Sequence, residues 1–296
     1  MLDELARSGI ATDWGARFLS RESKLYEPLS YNNGASWPFL SGWAACALYK
    51  GGRPAAAWQY LDALADLTFL ESRGYIPELL SGDRARTVDA AVPHQLFATA
   101  GFASALMRGM LGLEETDRGL RLSPQLPAGW DRLRVRNLRW RDGAADVEIR
   151  READRVLISE RPTRGSVPLD VVITPAPGGE VVSKSATVTL GAAVTTGEVR
   201  LRPGIELSSI EPPLAIGDES RRLRLVETKA ENGVYSARLQ GRRGATYRLR
   251  LDVPFEVAAI EGGRETERQG RTRTIEVAVP DGPADWVDMT LTVRLG

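Results

Sequence analysis

The hydrophobic pattern of the chain changes its period near residue 115, and this change constrains the fold more than any other feature of the sequence. Before that point apolar residues recur at helical spacing, as in PAAAWQYLDALADLTFL. After it they alternate with polar residues, as in WVDMTLTVRL. A period of about 3.6 residues indicates amphipathic helices, and a period of two indicates strands with one buried face. The sequence therefore predicts a helical half followed by a β half.

Proline and glycine mark the helices of the first half. Proline is favoured at the first helical position because its missing N–H would have no partner there. With glycines as helix ends, this predicts helices over 38–50, 54–73 and 93–112, joined by polar loops as in antiparallel α-hairpins. The opening residues LDELARSG read as the last turns of a helix closed by Gly9. We therefore expect protein upstream of this sequence.

The second half is predicted to be antiparallel β-sandwich structure. Many short alternating runs are separated by turn signals at 142–143, 178–179 and 232–233. The alternation changes phase at Asn137, which predicts a β-bulge. The predicted fold class is thus α+β and multidomain, with a helical domain over 1–115 and a β region over 116–296. The segment IEPPLAIGD divides that region into candidate units 116–208 and 209–296.

The composition of the chain limits the classes of partner that it is expected to bind. The chain has 296 residues, with 39 basic and 39 acidic side chains, and this balance argues against nucleic acid as a partner. No apolar run approaches the roughly 20 residues that cross a bilayer, so we expect no membrane partner. The first residues lack the pattern of a signal peptide, which slightly favours the cytoplasm without fixing the location. Cys46 is the single cysteine, which excludes an intrachain disulfide and any multi-cysteine metal site.

No cofactor or metal is predicted, since the sequence lacks a glycine-rich phosphate loop, a nucleophile elbow and a histidine-based metal motif. The unusual residues lie in two loops of the helical half. In SYNNGASWPFLSGW, Trp37 precedes Pro38 and is therefore held extended at the mouth of a helix. An indole face beside amides and a tyrosine hydroxyl suits a sugar ring. The alternative is that Trp37 and Trp43 fill the core and that Asn32–Gly34 form only a turn.

The second loop, GYIPELLSGDRARTVDAAVP, places Glu78 between apolar neighbours. A carboxylate there is unfavourable unless it is hydrogen-bonded or used, and it could act as a general base toward water. The alternative is a glutamate favoured by a helix dipole. The only histidine, His94, follows Pro93. A lone histidine is more often structural than functional, but we retain it as a candidate substrate contact.

Four blocks of the helical half resemble the closing part of the catalytic domain of bacterial glycogen-debranching-type glycoside hydrolases. These amylo-α-1,6-glucosidase-like enzymes belong with the six-hairpin (α/α)6 barrel enzymes. The resemblance covers about residues 9–115, with a weaker echo in RGLRLSPQLPAGWDRLRVRNLRW. The blocks, in the expected order, are ATDWGARFLS, LYEPLSYNNGASWPFLSGWAACALY, GYIPELLSGD and AVPHQLFATAGFASALMRGMLGL.

The resemblance implies an inverting hydrolysis of α-linked glucosides, in which one carboxyl group protonates the leaving oxygen and another activates water. Glu78 matches the family's late glutamate and is the expected general base. Matches to the family's other motifs give the expected sugar contacts, Tyr31, Asn33 and Trp37, and the residues expected to brace the pocket, Asp13 and Arg17.

The chain also departs from the family. Many members have histidine where Asn32 stands, and a His-Asp pair where this chain has Phe39–Leu40. The sugar linkage therefore does not follow from the resemblance. Twelve helices with their loops need at least ~200 residues, and the family's general acid lies upstream of the matching blocks. The resemblance implies that residues 1–115 form the last helical hairpins of a partial toroid. We expect the chain to be the C-terminal portion of such an enzyme and inactive alone. Its expected partners are a glycan and its own missing N-terminal part.

Two other interpretations remain open from the sequence. The chain could be a non-catalytic carbohydrate-binding or scaffold module, or a structural β-sandwich protein whose helices only pack on it.

Overall fold

The computed structural model describes residues 1–296 and contains four α-helices and five β-sheets. The helices are α1 (Leu2–Ala6), α2 (Pro38–Lys50), α3 (Pro54–Leu70) and α4 (Leu96–Ser104), the last continued by a π-helical segment, Ala105–Met110. The predicted starts at Pro38 and Pro54 are confirmed. The third helix begins at Leu96 instead of the predicted Pro93. The reason is that Gln95 is extended and its N–H donates to the carbonyl of Ile76 at 3.1 Å.

Helix α2 packs against both α3 and α4. Its crossing with α4 is close because Gly42 faces the backbone of Gly101, where an added Cβ would collide with that backbone. Only four helices are present, so the fold does not support the partial toroid of helical hairpins that was expected for residues 1–115. None of the helices combines the length and the hydrophobicity needed to cross a bilayer.

A small antiparallel sheet joins the loops that precede α2. Its strands are β1 (Ala11–Thr12), β2 (Gly15–Arg17) and β3 (Ser36–Trp37), with β2 in the centre. This sheet brings the first loop of the helical half back onto the start of α2.

Two sheets follow, and their facing side chains share one hydrophobic core. The five-stranded sheet consists of β6 (Arg132–Trp140), β7 (Gly143–Arg151), β8 (Arg155–Arg164), β10 (Glu180–Val181) and β12 (Thr196–Arg202). The four-stranded sheet consists of β4 (Glu114–Thr116), β5 (Gly119–Leu122), β9 (Leu169–Val172) and β11 (Thr187–Leu190). Their shared core includes Ile149, Ile158, Leu122 and Val171. The predicted bulge is confirmed, since the β6–β7 register shifts between Val135 and Leu138.

Two further four-stranded sheets share a second core near the C-terminus. One consists of β13 (Glu206–Ser209), β16 (Thr246–Asp252), β18 (Arg264–Gln269) and β19 (Thr272–Ala278). The other consists of β14 (Arg224–Glu231), β15 (Val234–Arg242), β17 (Val257–Glu261) and β20 (Trp286–Leu295). Asn232 and Gly233 both have positive φ between β14 and β15, as the asparagine-glycine turn predicts. Buried Leu249, Leu291 and Val293 show that the alternation selects the core face.

The chain is thus mostly β-structure, with a smaller helical part. One core is built from residues 111–199, a second from residues 205–293, and the main core of the helical part from residues 6–110 together with Val226. The domain boundaries placed at 115 and 208 stay predictions.

Candidate functional site

A backbone bridge holds the two unusual loops of the helical half side by side. The N–H of Ser36 donates to the carbonyl of Leu80 at 2.8 Å, and the N–H of Leu80 donates back at 3.0 Å. Trp37 is extended, as expected for a residue before proline, and Pro38 starts α2. The bridge therefore brings Glu78, two residues before Leu80, close to the mouth of α2.

The Glu78 carboxylate is buried, with 9% of the residue exposed, and both of its oxygens accept hydrogen bonds. The Tyr31 hydroxyl donates to Oε1 at 2.5 Å, and the N–H of Val92 donates to Oε2 at 3.1 Å. The N–H of Glu78 donates to the carbonyl of Val92 at 3.0 Å, which fixes the backbone of the loop. Each carboxylate oxygen can accept more than one hydrogen bond, so capacity remains for a further donor such as water.

An aromatic wall stands beside this carboxylate. Tyr31 and Trp37 meet edge to face with ring centroids 4.7 Å apart, and the Trp37 Nε1–H donates to the carbonyl of Tyr31 at 2.9 Å. The ring centroid of Phe39 lies 5.4 Å from that of Trp37 and 5.3 Å from that of Trp43, and both pairs also meet edge to face. Such pairs hold each ring in one orientation. The aromatic wall consists of Tyr31, Trp37, Phe39 and Trp43. We call Tyr31, Trp37 and Glu78 the Glu78 site.

The residues of the aromatic wall differ in their exposure to solvent. Trp37 is 7% exposed, whereas Tyr31 is 43% exposed and Trp43 is 62% exposed. The hydrogen bond to Glu78 raises the pKa of the Tyr31 hydroxyl, with a smaller effect of burial in the same direction. Tyr31 therefore stays protonated at neutral pH and donates its hydroxyl hydrogen to the Glu78 carboxylate. The site is a buried acceptor with one solvent-facing aromatic edge.

Asp13 lies at the junction with the C-terminal sheets and makes no hydrogen bond to the Glu78 site. Its carboxylate accepts from the N–H of Arg221 at 2.7 Å and of Arg222 at 3.0 Å, and it pairs with Arg224 at 2.6 Å. Burial alone would raise its pKa. The charge of Arg224 and the two N–H donors outweigh burial, so the pKa of Asp13 lies below its usual value. These bonds tie β2 and its neighbours to β14.

The Arg17 guanidinium connects the two loops through hydrogen bonds to backbone carbonyls. Its Nε donates to the carbonyl of Gly82 at 2.7 Å and to the Tyr26 hydroxyl at 3.2 Å, and its Nη1 donates to the carbonyl of Ser8 at 2.7 Å. Tyr26 in turn donates to Asp83 at 2.7 Å. Arg17 is buried, and its hydrogen bonds go to Tyr26 and to backbone carbonyls and not to the aromatic residues beside Glu78.

The remaining candidates, Asn33 and His94, are exposed and make no hydrogen bond to Glu78. Asn33 is exposed, and its backbone carbonyl accepts from the N–H of Glu27 at 2.9 Å. His94 contacts Tyr75 with ring centroids 4.0 Å apart and the two rings tilted by 49°. The structure thus brings together Tyr31, Trp37 and Glu78. The substrate roles assigned to Asn33, His94, Asp13 and Arg17 stay predictions.

The structure also shows a polar cluster that the sequence did not connect. Asp62 and Asp66 lie on one face of α3 by their spacing. Their partner Arg222 lies 156 positions beyond Asp66, at 2.7 Å from its carboxylate. No local pattern marks such a contact. No three histidine, cysteine, aspartate or glutamate side chains form a group that could hold a metal ion.

Comparison with known proteins gives one family match. Residues 113–175 match the model of the glycosyl hydrolase family 65 C-terminal domain. The matched segment runs from just before β4 to just after β9, so it lies in the first pair of β-sheets. A search of curated proteins finds no match. The match supports a relation to glycoside hydrolases and leaves the helical half, with its Glu78 site, outside the matched residues.

Proposed function

We propose that the chain is the C-terminal portion of an inverting glycoside hydrolase that acts on α-glucosidic linkages, with Glu78 as the general base. The observation that carries the proposal is the Glu78 carboxylate, buried beside an aromatic wall and fixed by Tyr31 and Val92. The family match of the adjoining β-structure to a glycosyl hydrolase C-terminal domain supports it.

In the proposed reaction, this chain provides the group that activates water. A water molecule bound to a Glu78 oxygen attacks the anomeric carbon of the sugar on the face opposite the leaving group. The new C–O bond forms as the glycosidic C–O bond breaks. The water proton passes to Glu78, while a general acid protonates the leaving oxygen. Tyr31 and Val92 keep the carboxylate in one orientation throughout, because they donate to different oxygens.

The general acid is proposed to lie on further helices of a larger catalytic domain. The helical half of this chain has large apolar side chains in water, among them Trp43, Phe69, Leu96 and Phe97, the last three at least 71% exposed. Apolar exposure of this kind is typical of an interaction surface. Helices packed on α2, α3 and α4 would cover these side chains and complete the partial toroid that the resemblance implies.

This proposal predicts that the 296-residue chain alone releases no glucose from maltooligosaccharides or isomaltose, since one of the two carboxyl groups is absent. The assay is glucose release over hours at high protein concentration. Glucose production that disappears in Glu78→Gln would show that this chain holds both groups, and it would refute the division of the site between two segments.

The alternative function is a non-catalytic carbohydrate-binding module that uses the same aromatic wall. The exposed edge of Tyr31 and the exposed Trp43 favour it, because both offer ring surface to a glycan without further protein. The two functions predict different results for a polypeptide that contains this chain together with the proposed upstream helices. Hydrolysis that depends on Glu78 supports the enzyme, and binding without hydrolysis supports the module.

A further inference from the structure

A large cavity lies between α3 and the two pairs of β-sheets. Its volume is about 980 Å³, and its lining includes residues of α3, of the matched β-structure and of the C-terminal sheets. Cavities that hold small ligands are typically about 300–1,000 Å³ and often lie where structural units meet. None of Tyr31, Trp37 and Glu78 lines it, so we treat it separately and call it the α3 cavity.

Helix α3 presents one aromatic and two acidic side chains to this cavity. Trp58, Asp62 and Asp66 are spaced four residues apart, which places them on one face of the helix. Trp58 packs edge to face on Trp130, with ring centroids 5.3 Å apart, so its ring is held in one orientation. The face offers an oriented indole with two carboxylates beyond it.

An arginine from the C-terminal β-structure faces the two carboxylates. Arg222 is 8% exposed, and its guanidinium lies 2.7 Å from Asp66 and 3.6 Å from Asp62. Its Nη2 also donates to the carbonyl of Pro212 at 3.0 Å. Both hydrogen-bond donors and hydrogen-bond acceptors therefore line the same wall.

Two buried polar groups that line the cavity are not fully satisfied. The Nε of Arg224, a residue 2% exposed, has no hydrogen-bond partner. The hydroxyl of Tyr235, a fully buried residue, lies beside Thr228 but has no partner of ordinary geometry. Buried polar groups are rarely left unpaired, and a polar ligand in the cavity offers both groups a hydrogen-bond partner.

The carboxylates of the cavity also outnumber its cations, with eight aspartates and glutamates against four arginines. Partial burial raises the pKa of Asp62, and the nearby charge of Asp66 raises it further. Burial likewise raises the pKa of Glu211. Hydroxyl donors from a ligand would stabilise such carboxylates.

We propose that the α3 cavity binds a neutral oligosaccharide, at a site distinct from the Glu78 site. A sugar ring packs its C–H face on the Trp58 indole, donates hydroxyls to Asp62 and Asp66, and accepts from arginine N–H groups. A cationic ligand suits the excess of carboxylates, but the buried guanidinium groups of Arg222 and Arg224 would repel it. This inference does not depend on Glu78 being a catalytic base.

The test is isothermal titration of the 296-residue chain with maltoheptaose, with spermidine as a cationic probe. The Tyr31→Ala background removes an exposed ring from the Glu78 site. We expect saturable maltoheptaose binding in this background. We expect Trp58→Ala to weaken it by at least about tenfold and Asp62→Asn to weaken it by about threefold to tenfold. Trp140→Phe, which alters a half-buried tryptophan outside the cavity, is the matched control and should bind normally.

Circular dichroism and the melting temperature report whether each variant is folded. If Trp58→Ala does not fold, Asp62→Asn decides the question, because this residue is half-exposed and lies at the weaker of the two contacts with Arg222. The proposal is overturned if the Tyr31→Ala protein binds no maltoheptaose, if folded cavity variants bind it as the parent does, or if spermidine binds and maltoheptaose does not.

Discussion

Replacing Asp13 with alanine should be among the most destabilising single changes in this protein. Its carboxylate is buried and paired with Arg224, whose side chain is also buried, with side-chain exposures of 2% and 3%. Breaking a buried pair from one side costs about 3–5 kcal/mol, because the remaining charge stays buried without compensation. The N–H groups of Arg221 and Arg222 lose their acceptor in the same change. These effects overlap, so we expect a total loss near 4 kcal/mol.

The assay is urea unfolding followed by circular dichroism, together with hydrogen exchange at the amides of Arg221 and Arg222. The matched control is Asp288→Ala, which breaks a 2.7 Å pair with Arg7 at the surface and should cost less than about 1 kcal/mol. The double variant Asp13→Ala/Arg224→Met should recover part of the loss, since it leaves no buried charge. A loss for Asp13→Ala no greater than that for Asp288→Ala, with protected amides at 221 and 222, would refute this reasoning.

Three further results are expected. The free energy of unfolding should fall in acid. The pKa of Asp13 is lowered, and the pKa of Asp3 is lowered to about 2, chiefly by its hydrogen bond to Arg53, so both carboxylates stabilise the fold above their unfolded pKa values near 4 and lose this effect as the pH drops toward 2. An unfolding midpoint that is constant from pH 6 to 2.5 would contradict this. Gly42→Ala should cost about 2 kcal/mol in urea unfolding, because its Cβ would collide with the Gly101 backbone, whereas Gly282→Ala meets no atom and should be neutral; equal midpoints would argue against the close helix crossing. In the proposed complete enzyme, Tyr31→Phe should lower kcat by about tenfold with little change in KM, since it removes the hydroxyl that donates to Glu78. An unchanged kcat would exclude a positioning role for Tyr31.

Local rules explain which parts of the fold were predictable. Pro38 and Pro54 start their helices because the first helical position needs no N–H donor. The alternation around Leu249 and Leu291 selects the buried face of each strand, because side chains point to opposite faces in turn. The start of α4 was misplaced by three residues, since the N–H of Gln95 is used by a distant carbonyl instead of by a helix.

Contacts between distant parts of the chain were not predictable from local patterns. The pairing of Glu78 with Tyr31 depends on the bridge between Ser36 and Leu80, and only the family resemblance suggested that these loops meet. Asp13 is bound to Arg224, 211 positions away, so its contacts with the β-structure could not be read from its neighbours. The α3 cavity arises in the same way, where a helix meets two pairs of sheets.

The turnover of the proposed complete enzyme with Glu78 replaced tests the central claim most directly. The measurement is kcat on maltooligosaccharides for Glu78→Gln, with Asp89→Asn as the control because that carboxylate is exposed. We expect kcat to fall by about a thousandfold in Glu78→Gln, with sugar binding retained, and to stay normal in the control. Near-normal turnover in Glu78→Gln would contradict the assignment of Glu78 as the general base.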